Sequence, residues 1–354
     1  MQTGRNYPGL LLGCLMAILA QSPVDGEDSV ESRFLSKVRQ VTSGFEKAGE
    51  GYFSPDGKTI IYQAVSRAYP FYQIYLQPLA GDESRPQLIS RGRGRTTCSY
   101  FSTDGKRLLW ASSHLDPNLY STEEKERHQQ AEDRRLRRRR RYSWAFDQHM
   151  DMFESDLNGK ILKRLTTAKG YDAEGAYSQD GKLIAFCSDR DGDADLYVMN
   201  SDGTAVRQLT NAPGYDGGPF ISPDGKWVIF RSDRKRAEYL QIFVIGIDGK
   251  NETPLTDTVG VNWGPYWHPT KPYLIWSAAD HSNPRARPNY DLWLTRYQVV
   301  DGQFQIGEVE RVTDNSGADV LPVFSPDGSQ LMWTSTRTKS RTSQLFLGDF
   351  HLPR

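Results

Sequence analysis

The sequence predicts an all-β protein, a closed ring of six four-stranded antiparallel sheets with one charged helical insertion. Three observations predict it. A strand, a Pro-Asp-Gly-type turn and a second strand recur six times along the chain. An aromatic residue stands six positions after the turn in each copy. A short segment near the N-terminus matches the last strand of the internal repeats. Together these features are typical of a six-bladed β-propeller whose last blade is completed from the other end of the chain.

The repeat is clearest at residues 221–230, which read I-S-P-D-G-K-W-V-I-F. A small polar residue, a tight turn and a run of β-branched and aromatic residues predict a hairpin. The residues at the turn position are Asp56, Asp104, Asp180, Asp224, Thr270 and Asp327. The aromatic residues six positions later are Tyr62, Trp110, Phe186, Phe230, Trp276 and Trp333. A ring at a fixed offset in each unit predicts that it packs between neighbouring strands and blades.

Each repeat has room for four antiparallel strands, which make one blade. The blades are predicted at about residues 48–90, 96–166, 173–210, 217–256, 263–313 and from 320 onward, within a propeller domain spanning 38–354. The sixth blade has room for three strands. Residues 38–42, V-R-Q-V-T, match the fourth strand V-R-Q-L-T at 206–210. We therefore expect 38–42 to pair with 344–350 and to close the ring, which removes exposed sheet edges.

The second blade departs from the repeat. Its turn and the next lie 76 residues apart, against 44 for the following pair, so an insertion is expected at 114–148. Residues 121–141 predict a helix with a capping box formed by Ser121 and Glu124. Apolar residues are nearly absent, so this helix should stand off the ring as a solvated arm. Its end is a candidate patch for an anionic partner, formed by Arg134, Arg135, Arg137, Arg138, Arg139, Arg140 and Arg141. The alternative is a solvated charged insertion without a partner.

The N-terminus has the layout of a signal peptide. Arg5 precedes a short apolar run over residues 9–20, and cleavage is expected after Ala20. The run is too short to span a membrane comfortably. A lipid anchor at Cys14 is the alternative. We therefore expect a periplasmic or secreted protein, with Cys98 and Cys187 as buried, unpaired residues rather than a disulfide.

The S-P-D-G-K turn, the run S-D-R-D-G followed by D-L-Y-V-M-N over residues 188–200, and the strand R-Q-L-T resemble the TolB-like, or WD40-like (PD40), β-propeller repeat family. The resemblance covers nearly the whole mature chain. It implies the propeller fold, and functions that range over binding, scaffolding and occasionally catalysis. Only about 17 residues separate the leader from the first strand. The sequence therefore predicts that the α/β domain preceding the propeller of TolB is missing here.

Composition and motifs exclude several functional classes. The 44 basic and 44 acidic residues cancel, so bulk charge gives no reason to expect nucleic-acid or membrane-surface binding. Neither a G-x-S-x-G nor an H-E-x-x-H motif occurs, so no catalytic residue is predicted. The acidic run at 189–195 resembles a calcium loop, but its twelfth position is Asn200 rather than glutamate. A polar hairpin is the preferred interpretation.

Polar residues recur where the chain enters each blade. In a propeller these loops open at the central channel, so we expect a ring of side chains at one channel mouth that binds a cation, a basic peptide or a hydroxyl-rich ligand. The alternative is that they cap turns. The candidate binding residues are Glu50, Asp172, Glu174, Asp216, Asn262 and Asp319, together with Tyr171, Tyr215 and Trp263.

The sequence thus predicts a secreted or periplasmic, non-enzymatic binding propeller that engages a protein or glycan partner at the channel mouth. A monomer is expected, without a cofactor, although a channel-bound divalent cation is compatible with the carboxylates. One alternative is a metal-assisted lyase or hydrolase acting on a carbohydrate or peptide in the channel. Another is a structural module whose contact with other molecules is the arginine-rich arm.

Overall fold

A computed structural model describes residues 29–80, 85–138, 146–283 and 285–353. It contains six antiparallel sheets of four strands each, arranged as the blades of a propeller. In blades 1 to 5 the four strands are neighbours in chain order, and in blade 6 the outermost strand comes from the start of the described chain. The predicted all-β, six-bladed fold is confirmed.

The strands are numbered in chain order, and each blade takes consecutive ones. Ahead of blade 1 lies β1 (Leu35–Gln40). Blade 1 consists of β2 (Lys47–Phe53), β3 (Thr59–Val65), β4 (Gln73–Pro78) and β5 (Gln87–Leu88). Blade 2 consists of β6 (Thr96–Phe101), β7 (Arg107–Ser112), β8 (Asp151–Asp156) and β9 (Ile161–Arg164). Blade 3 consists of β10 (Asp172–Tyr177), β11 (Leu183–Ser188), β12 (Asp195–Asn200) and β13 (Arg207–Gln208). Blade 4 consists of β14 (Asp216–Ile221), β15 (Trp227–Ser232), β16 (Gln241–Gly246) and β17 (Thr253–Pro254). Blade 5 consists of β18 (Val261–Trp267), β19 (Tyr273–Ala279), β20 (Asp291–Val300) and β21 (Gln303–Arg311). Blade 6 consists of β22 (Asp319–Phe324), β23 (Gln330–Ser335) and β24 (Gln344–Phe350), together with β1.

The ring is closed by β1, which pairs antiparallel with β24, as the sequence predicted. The strand begins at Leu35, three residues earlier than expected, after a short 3₁₀ helix at Val30–Arg33. The predicted segment 38–42 nevertheless lies along β24. The Thr42 hydroxyl donates to Gln344 Oε1 at 2.9 Å and accepts from the backbone N–H of Leu345 at 2.9 Å. Beyond the end of β1, these side-chain hydrogen bonds take the place of the backbone hydrogen bonds between β1 and β24.

The recurring turn is explained by its own hydrogen bonds. In blade 1 the Ser54 hydroxyl donates to Asp56 Oδ1 at 2.6 Å, and the same carboxylate oxygen accepts from the backbone N–H of Lys58 at 3.1 Å. These bonds lower the pKa of Asp56. In blade 5 the serine is replaced by His268, whose Nδ1 accepts from the backbone N–H of Lys271 at 3.1 Å. The motif therefore specifies a turn, which explains its repetition without any ligand.

The aromatic residues six positions after the turn form the interior of the blades. All six are at most 4% exposed. Within a blade each second-strand ring can pack on an aromatic residue of the third strand: Trp110 lies 5.3 Å from Phe153, and Phe230 lies 5.6 Å from Phe243, centroid to centroid. Cys98 and Cys187 are buried free thiols, as predicted.

The insertion of blade 2 contains helix α1 (Leu119–Arg135), between β7 and β8 as predicted. The predicted capping box is wrong: the N-cap is Asn118, three residues before Ser121, where the helix was expected to start. The helical hydrogen bonding ends near Leu136, which is the C-cap. Arg139, Arg140 and Arg141 lie outside the described residues.

The prediction that this helix stands off the ring is also wrong. Its Glu123 is 5% exposed and lies against blade 1, where Arg93 Nη2 contacts Oε2 at 2.8 Å and the Tyr69 hydroxyl donates to Oε1 at 2.6 Å. Gln130 Nε2 donates to the carbonyl oxygen of Pro70 at 2.9 Å. No apolar stripe on the helix indicates this docking, because the contact is made by polar groups.

The leader over residues 1–20, with Cys14, lies outside the described residues, so the signal peptide stays a prediction. Among the residues that the structure describes, no helix is long and apolar enough to cross a membrane.

Candidate functional site

Every first strand carries a bulge six residues before its turn. The residue there adopts a left-handed backbone conformation, with φ between 48° and 59°. The six residues are Glu50, Cys98, Glu174, Gly218, Gly264 and Leu321. The register of the first and second strands shifts at this point in all six blades. A bulge takes the extra residue out of the ladder and re-aims its side chain. The bulge side chains of blades 1 to 3, Glu50, Cys98 and Glu174, meet at the axis of the ring. Tyr215 and Arg231, from the entry and the second strand of blade 4, join them there. We name these five residues the axial cluster.

Glu174 is the centre of the axial cluster. Its carboxylate is 3% exposed and accepts hydrogen bonds from four donors. These donors are the Tyr171 hydroxyl at 3.1 Å, the Tyr215 hydroxyl at 2.8 Å, Arg231 Nη2 at 3.0 Å and the backbone N–H of Gly218. A buried carboxylate with this many charged and polar donors is held rigidly and stays paired. Glu174 therefore positions the groups around it.

Arg231 reaches the axis from the second strand of blade 4. Its Nε also donates to the Tyr215 hydroxyl at 3.1 Å, and its guanidinium lies 5.9 Å from the ring centroid of Trp263. The space exists because residue 218 is glycine: a Cβ there would lie 2.3 Å from Arg231 Nη1. The side chain of Arg231 is 13% exposed, so a small part of this side chain remains accessible to solvent.

Glu50 faces this assembly from blade 1. Its Oε2 accepts from Gln63 Nε2 at 2.8 Å, and its side chain is partly exposed. Burial raises the pKa of Glu50 to about 7; Arg231 opposes this shift, while Glu174 adds to it. The axial cluster thus holds a carboxyl group that changes charge near neutral pH at a position that solvent reaches.

The channel is closed beneath the axial cluster by four aromatic side chains from four blades, Tyr52, Tyr100, Phe220 and Tyr266, which we name the axial plug. The Tyr52 and Phe220 rings, from opposite blades, are 5.9 Å apart. The hydroxyls of Tyr100 and Tyr266, also from opposite blades, are 3.0 Å apart. Contacts between opposite blades are made only when side chains fill the axis. The axial cluster is therefore the floor of a blind recess and not the mouth of an open tunnel.

Four of the predicted channel residues lie elsewhere. Asp172, Asp216, Asn262 and Asp319 are at most 3% exposed and are buried within the blades instead of ringing the channel mouth. Asp216 pairs with Arg234 of its own blade, and Asp319 pairs with Arg337 and accepts from Trp333 Nε1 at 3.0 Å. The same spacing of 18 residues joins Asp172 to Arg190. Asn262 Oδ1 accepts from Trp276 Nε1 at 3.0 Å. These contacts join side chains within each blade, and the predicted roles of the four residues as ligand contacts or as turn caps stay predictions.

The other predicted residues come together. Glu50 and Glu174 belong to the axial cluster, Tyr171 and Tyr215 donate to Glu174, and Trp263 stands beside Arg231. Phe146, at the end of the insertion, packs 5.1 Å from the ring of Tyr171 and 5.6 Å from that of Tyr215, and it is 40% exposed. The side of the recess formed by blades 1 to 4 therefore carries most of its polar and aromatic groups.

A second acidic group lies in the hairpin between β11 and β12. Carboxylate oxygens of Asp191, Asp193 and Asp195 lie within 4.8 Å of one another, close enough to share a cation. Asp195 is already engaged, since it accepts from the Thr210 hydroxyl at 3.1 Å and from the backbone N–H of Ala212 at 3.3 Å. The hairpin conformation agrees with the preferred interpretation of this run. The group is separate from the axial cluster, and a channel-bound cation stays a prediction.

Sequence reasoning missed Arg231 and the axial plug. The signals were present: four of six copies carry an aromatic residue four positions before the turn. Glycine at residues 218 and 264, aligned with Glu50 and Glu174, marks a backbone position that needs positive φ. Arg231 has no equivalent among the repeats, so only its three-dimensional position identifies it.

Comparison with known proteins supports the fold. Residues 143–236 match the family model described as TolB beta propeller domain. A structure designated TolB from Agrobacterium tumefaciens is similar at 21% identity, with a TM-score of 0.57 over 86% of this chain and 91% of that one. TolB from Acinetobacter baumannii is similar at 17% identity, with a TM-score of 0.53 over 88% of this chain and 66% of that one. An oligogalacturonate lyase from Vibrio parahaemolyticus has 14% identity and a TM-score of 0.49 over 88% of this chain and 93% of that one. The predicted resemblance to TolB-like propellers is confirmed, and similarity at these identities concerns the fold alone.

Proposed function

We propose that this TolB-like propeller is a non-enzymatic binding module, secreted or periplasmic, that engages a protein partner at the recess above the axial plug. The observation that supports this proposal most is the axial cluster itself. It presents a rigid cation, Arg231, a carboxyl group, Glu50, and aromatic surface within one blind recess. Preorganised polar groups beside aromatic rings are typical of the centres of protein interfaces.

The recess suits a protruding side chain or a turn of a partner better than a threaded chain, because the axial plug blocks passage. Arg231 and Trp263 are side-chain types that contribute strongly to protein interfaces when desolvated. The position of Arg231 is fixed before binding, since its guanidinium pairs with the buried Glu174 carboxylate. A partner therefore loses little free energy in ordering this surface.

No observation favours the alternative of a metal-assisted lyase or hydrolase at this place. Such chemistry needs carboxylate oxygens that are open to a metal. Both oxygens of Glu174 accept hydrogen bonds from internal donors, and Oε2 of Glu50 accepts from Gln63. The reaction would have to displace these bonds first.

Site-specific photo-crosslinking tests the proposal. A photoreactive phenylalanine analogue is placed at Trp263, beside the recess, and at Leu162, an outer-strand residue that is 49% exposed. Expression in the source cells should give a defined protein adduct from position 263 and none from position 162. Excess wild-type protein should suppress the adduct, while the Glu50→Lys variant should not, because it places a second cation beside Arg231.

Equal crosslinking at the two positions, or no protein adduct at position 263, would overturn the proposal. An adduct that resists protease but is degraded by periodate would assign a glycan partner instead. Turnover of polysaccharides that depends on added calcium or manganese and is lost in Glu50→Gln would support the enzyme.

A further inference from the structure

The end of helix α1 carries a concentrated positive charge. Arg134, Arg135, Arg137 and Arg138 are all exposed, and we name these four residues with Leu136 the arginine end. Helix–dipole stabilisation explains basic residues in the last turn of a helix, which is where Arg134 and Arg135 lie. It does not explain Arg137 and Arg138, because they follow the C-cap. A further cause for the charge is therefore needed.

Two carboxylates of the helix are paired with arginines outside the arginine end. Glu123 is bound to Arg93 of blade 1, and Glu124 is 3.4 Å from Arg127. At the arginine end, within the described part of the chain, the one ion pair joins Arg135 to Glu132 at 3.8 Å, with both side chains more than half exposed. Such a contact is weak in water. The other three arginines make no ion pair with a described residue and are available to an external anion.

The helix holds the arginine end in a fixed place. The buried contacts of Glu123 and the bond from Gln130 to Pro70 attach α1 to blade 1, on the face where the first strands begin. Arg127 Nη1 adds a bond to the carbonyl oxygen of Ala68 at 3.3 Å. The charge is thus presented by the body of the propeller and not by a free tail, so that docking there would also orient the disc.

The chemistry of the arginine end identifies the kind of anion. All four cations are arginine, whose planar guanidinium pairs with phosphate through two parallel hydrogen bonds. Leu136 stands among them and is 42% exposed. A soluble polyanion gains nothing from an exposed leucine. A bilayer does, because the apolar side chain enters the headgroup region while the arginine stems lie along the interface and the guanidinium groups reach the phosphates.

We propose that the arginine end is a docking surface for a membrane that contains anionic phospholipids. This contact is separate from the recess above the axial plug. It goes beyond a binding function for the propeller, because it identifies the membrane as the surface that would hold the protein while the recess binds a partner. Near an anionic bilayer each arginine strengthens partition about fivefold, so four together change it by about two to three orders of magnitude.

Vesicle co-sedimentation of the full chain tests the proposal. Vesicles of phosphatidylcholine with about one third phosphatidylglycerol should bind the protein, and vesicles of phosphatidylcholine alone should not. Replacing Arg134, Arg135, Arg137 and Arg138 by glutamine should weaken binding at least a hundredfold. The matched control replaces four exposed lysines of the repeated turns, Lys58, Lys106, Lys182 and Lys226, by glutamine. It removes the same charge from the opposite face and should leave binding within about threefold.

Leu136→Ser distinguishes a membrane from a soluble anion. It should weaken vesicle binding several-fold and leave binding to inorganic polyphosphate unchanged. Equal binding to neutral and anionic vesicles, or equal loss in both quadruple variants, would overturn the proposal. Retention by polyphosphate without vesicle binding would also overturn it. Thermal unfolding of each variant shows whether any loss of binding comes from misfolding, and these exposed substitutions should leave the fold intact.

Discussion

Replacing Glu50 by glutamine should change how stability depends on pH. The pKa of Glu50 is raised from 4.5 to about 7 in the folded protein. Below pH 4.5 the group is protonated in both folded and unfolded states, so it makes no difference. Between pH 4.5 and 7 the unfolded chain loses the proton and the folded protein keeps it. The free energy of unfolding therefore falls as pH rises through this window.

The size of this effect follows from the shift. A pKa difference from 4.5 to about 7 corresponds to about 3 kcal/mol. Because the Glu50 side chain is partly exposed, we expect about 2 kcal/mol. Glutamine has the same shape and keeps the oxygen that accepts from Gln63, but it cannot ionise. Relative to wild type, Glu50→Gln should therefore gain about 2 kcal/mol between pH 4.5 and pH 8.

Urea unfolding at several pH values from 4.5 to 8 measures this difference. Comparing the two proteins at each pH cancels the contributions of the other titrating groups to the free energy of unfolding. These groups include Asp195 and Asp291, whose pKa values burial raises to about 6. Glu46→Gln is the control, since it removes an exposed carboxylate at the edge of the same blade. A constant difference between wild type and Glu50→Gln across this pH range would show that Glu50 ionises as it does in water, and the account of the axial cluster would be wrong.

Two further predictions concern pairs that fix the blades and the axis. Asp216→Asn should destabilise the protein by about 2–4 kcal/mol in urea unfolding, because Arg234 loses a fully buried carboxylate partner. The control Lys182→Gln breaks the exposed pair with Asp180 and should change the free energy of unfolding by less than about 0.5 kcal/mol. Gly218→Ala should cost about 1–3 kcal/mol and displace Arg231, since the new Cβ would lie 2.3 Å from its Nη1 at φ +58°. The control Gly225→Ala has a similar φ of +73° but no atom within 4 Å, so it should show the backbone cost without the displacement. Equal losses in the two glycine variants would argue against a clash at Arg231.

The repeat predicted the architecture because its signals are local and occur in every blade. A serine, an aspartate and a glycine specify the turn, and an aromatic residue six positions later specifies the packing. The closing strand followed from the same logic, since residues 38–42 match an internal fourth strand. Its start at Leu35 could not be read from the match, because the preceding residues have no counterpart in the other blades.

The candidate site was predicted less well, because side-chain direction depends on the bulge. Counting residues along a regular strand predicts that the entry residues, such as Asp319, face the channel. The extra residue at each bulge shifts the register, so the side chains six positions before the turn face the axis, while Asp319 lies within the blade. The docking of α1 was missed for a different reason. Its contact through Glu123 is polar and long-range, and no apolar stripe indicates it.

The same bulge in six blades gives six axial positions of equal geometry, and the chemistry at these positions is unequal. Blades 1 to 3 supply Glu50, Cys98 and Glu174, whereas blades 4 and 5 supply glycine and blade 6 supplies Leu321. The glycine of blade 4 is what admits Arg231. The insertion lies over the same half of the ring, since Glu123 docks on blade 1 and Phe146 packs on Tyr215 at the entrance to blade 4. A sixfold scaffold thus carries a one-sided recess. A partner should therefore contact blades 1 to 4 and leave blades 5 and 6 largely free. The exception is Trp263 of blade 5, which lies beside Arg231 of blade 4.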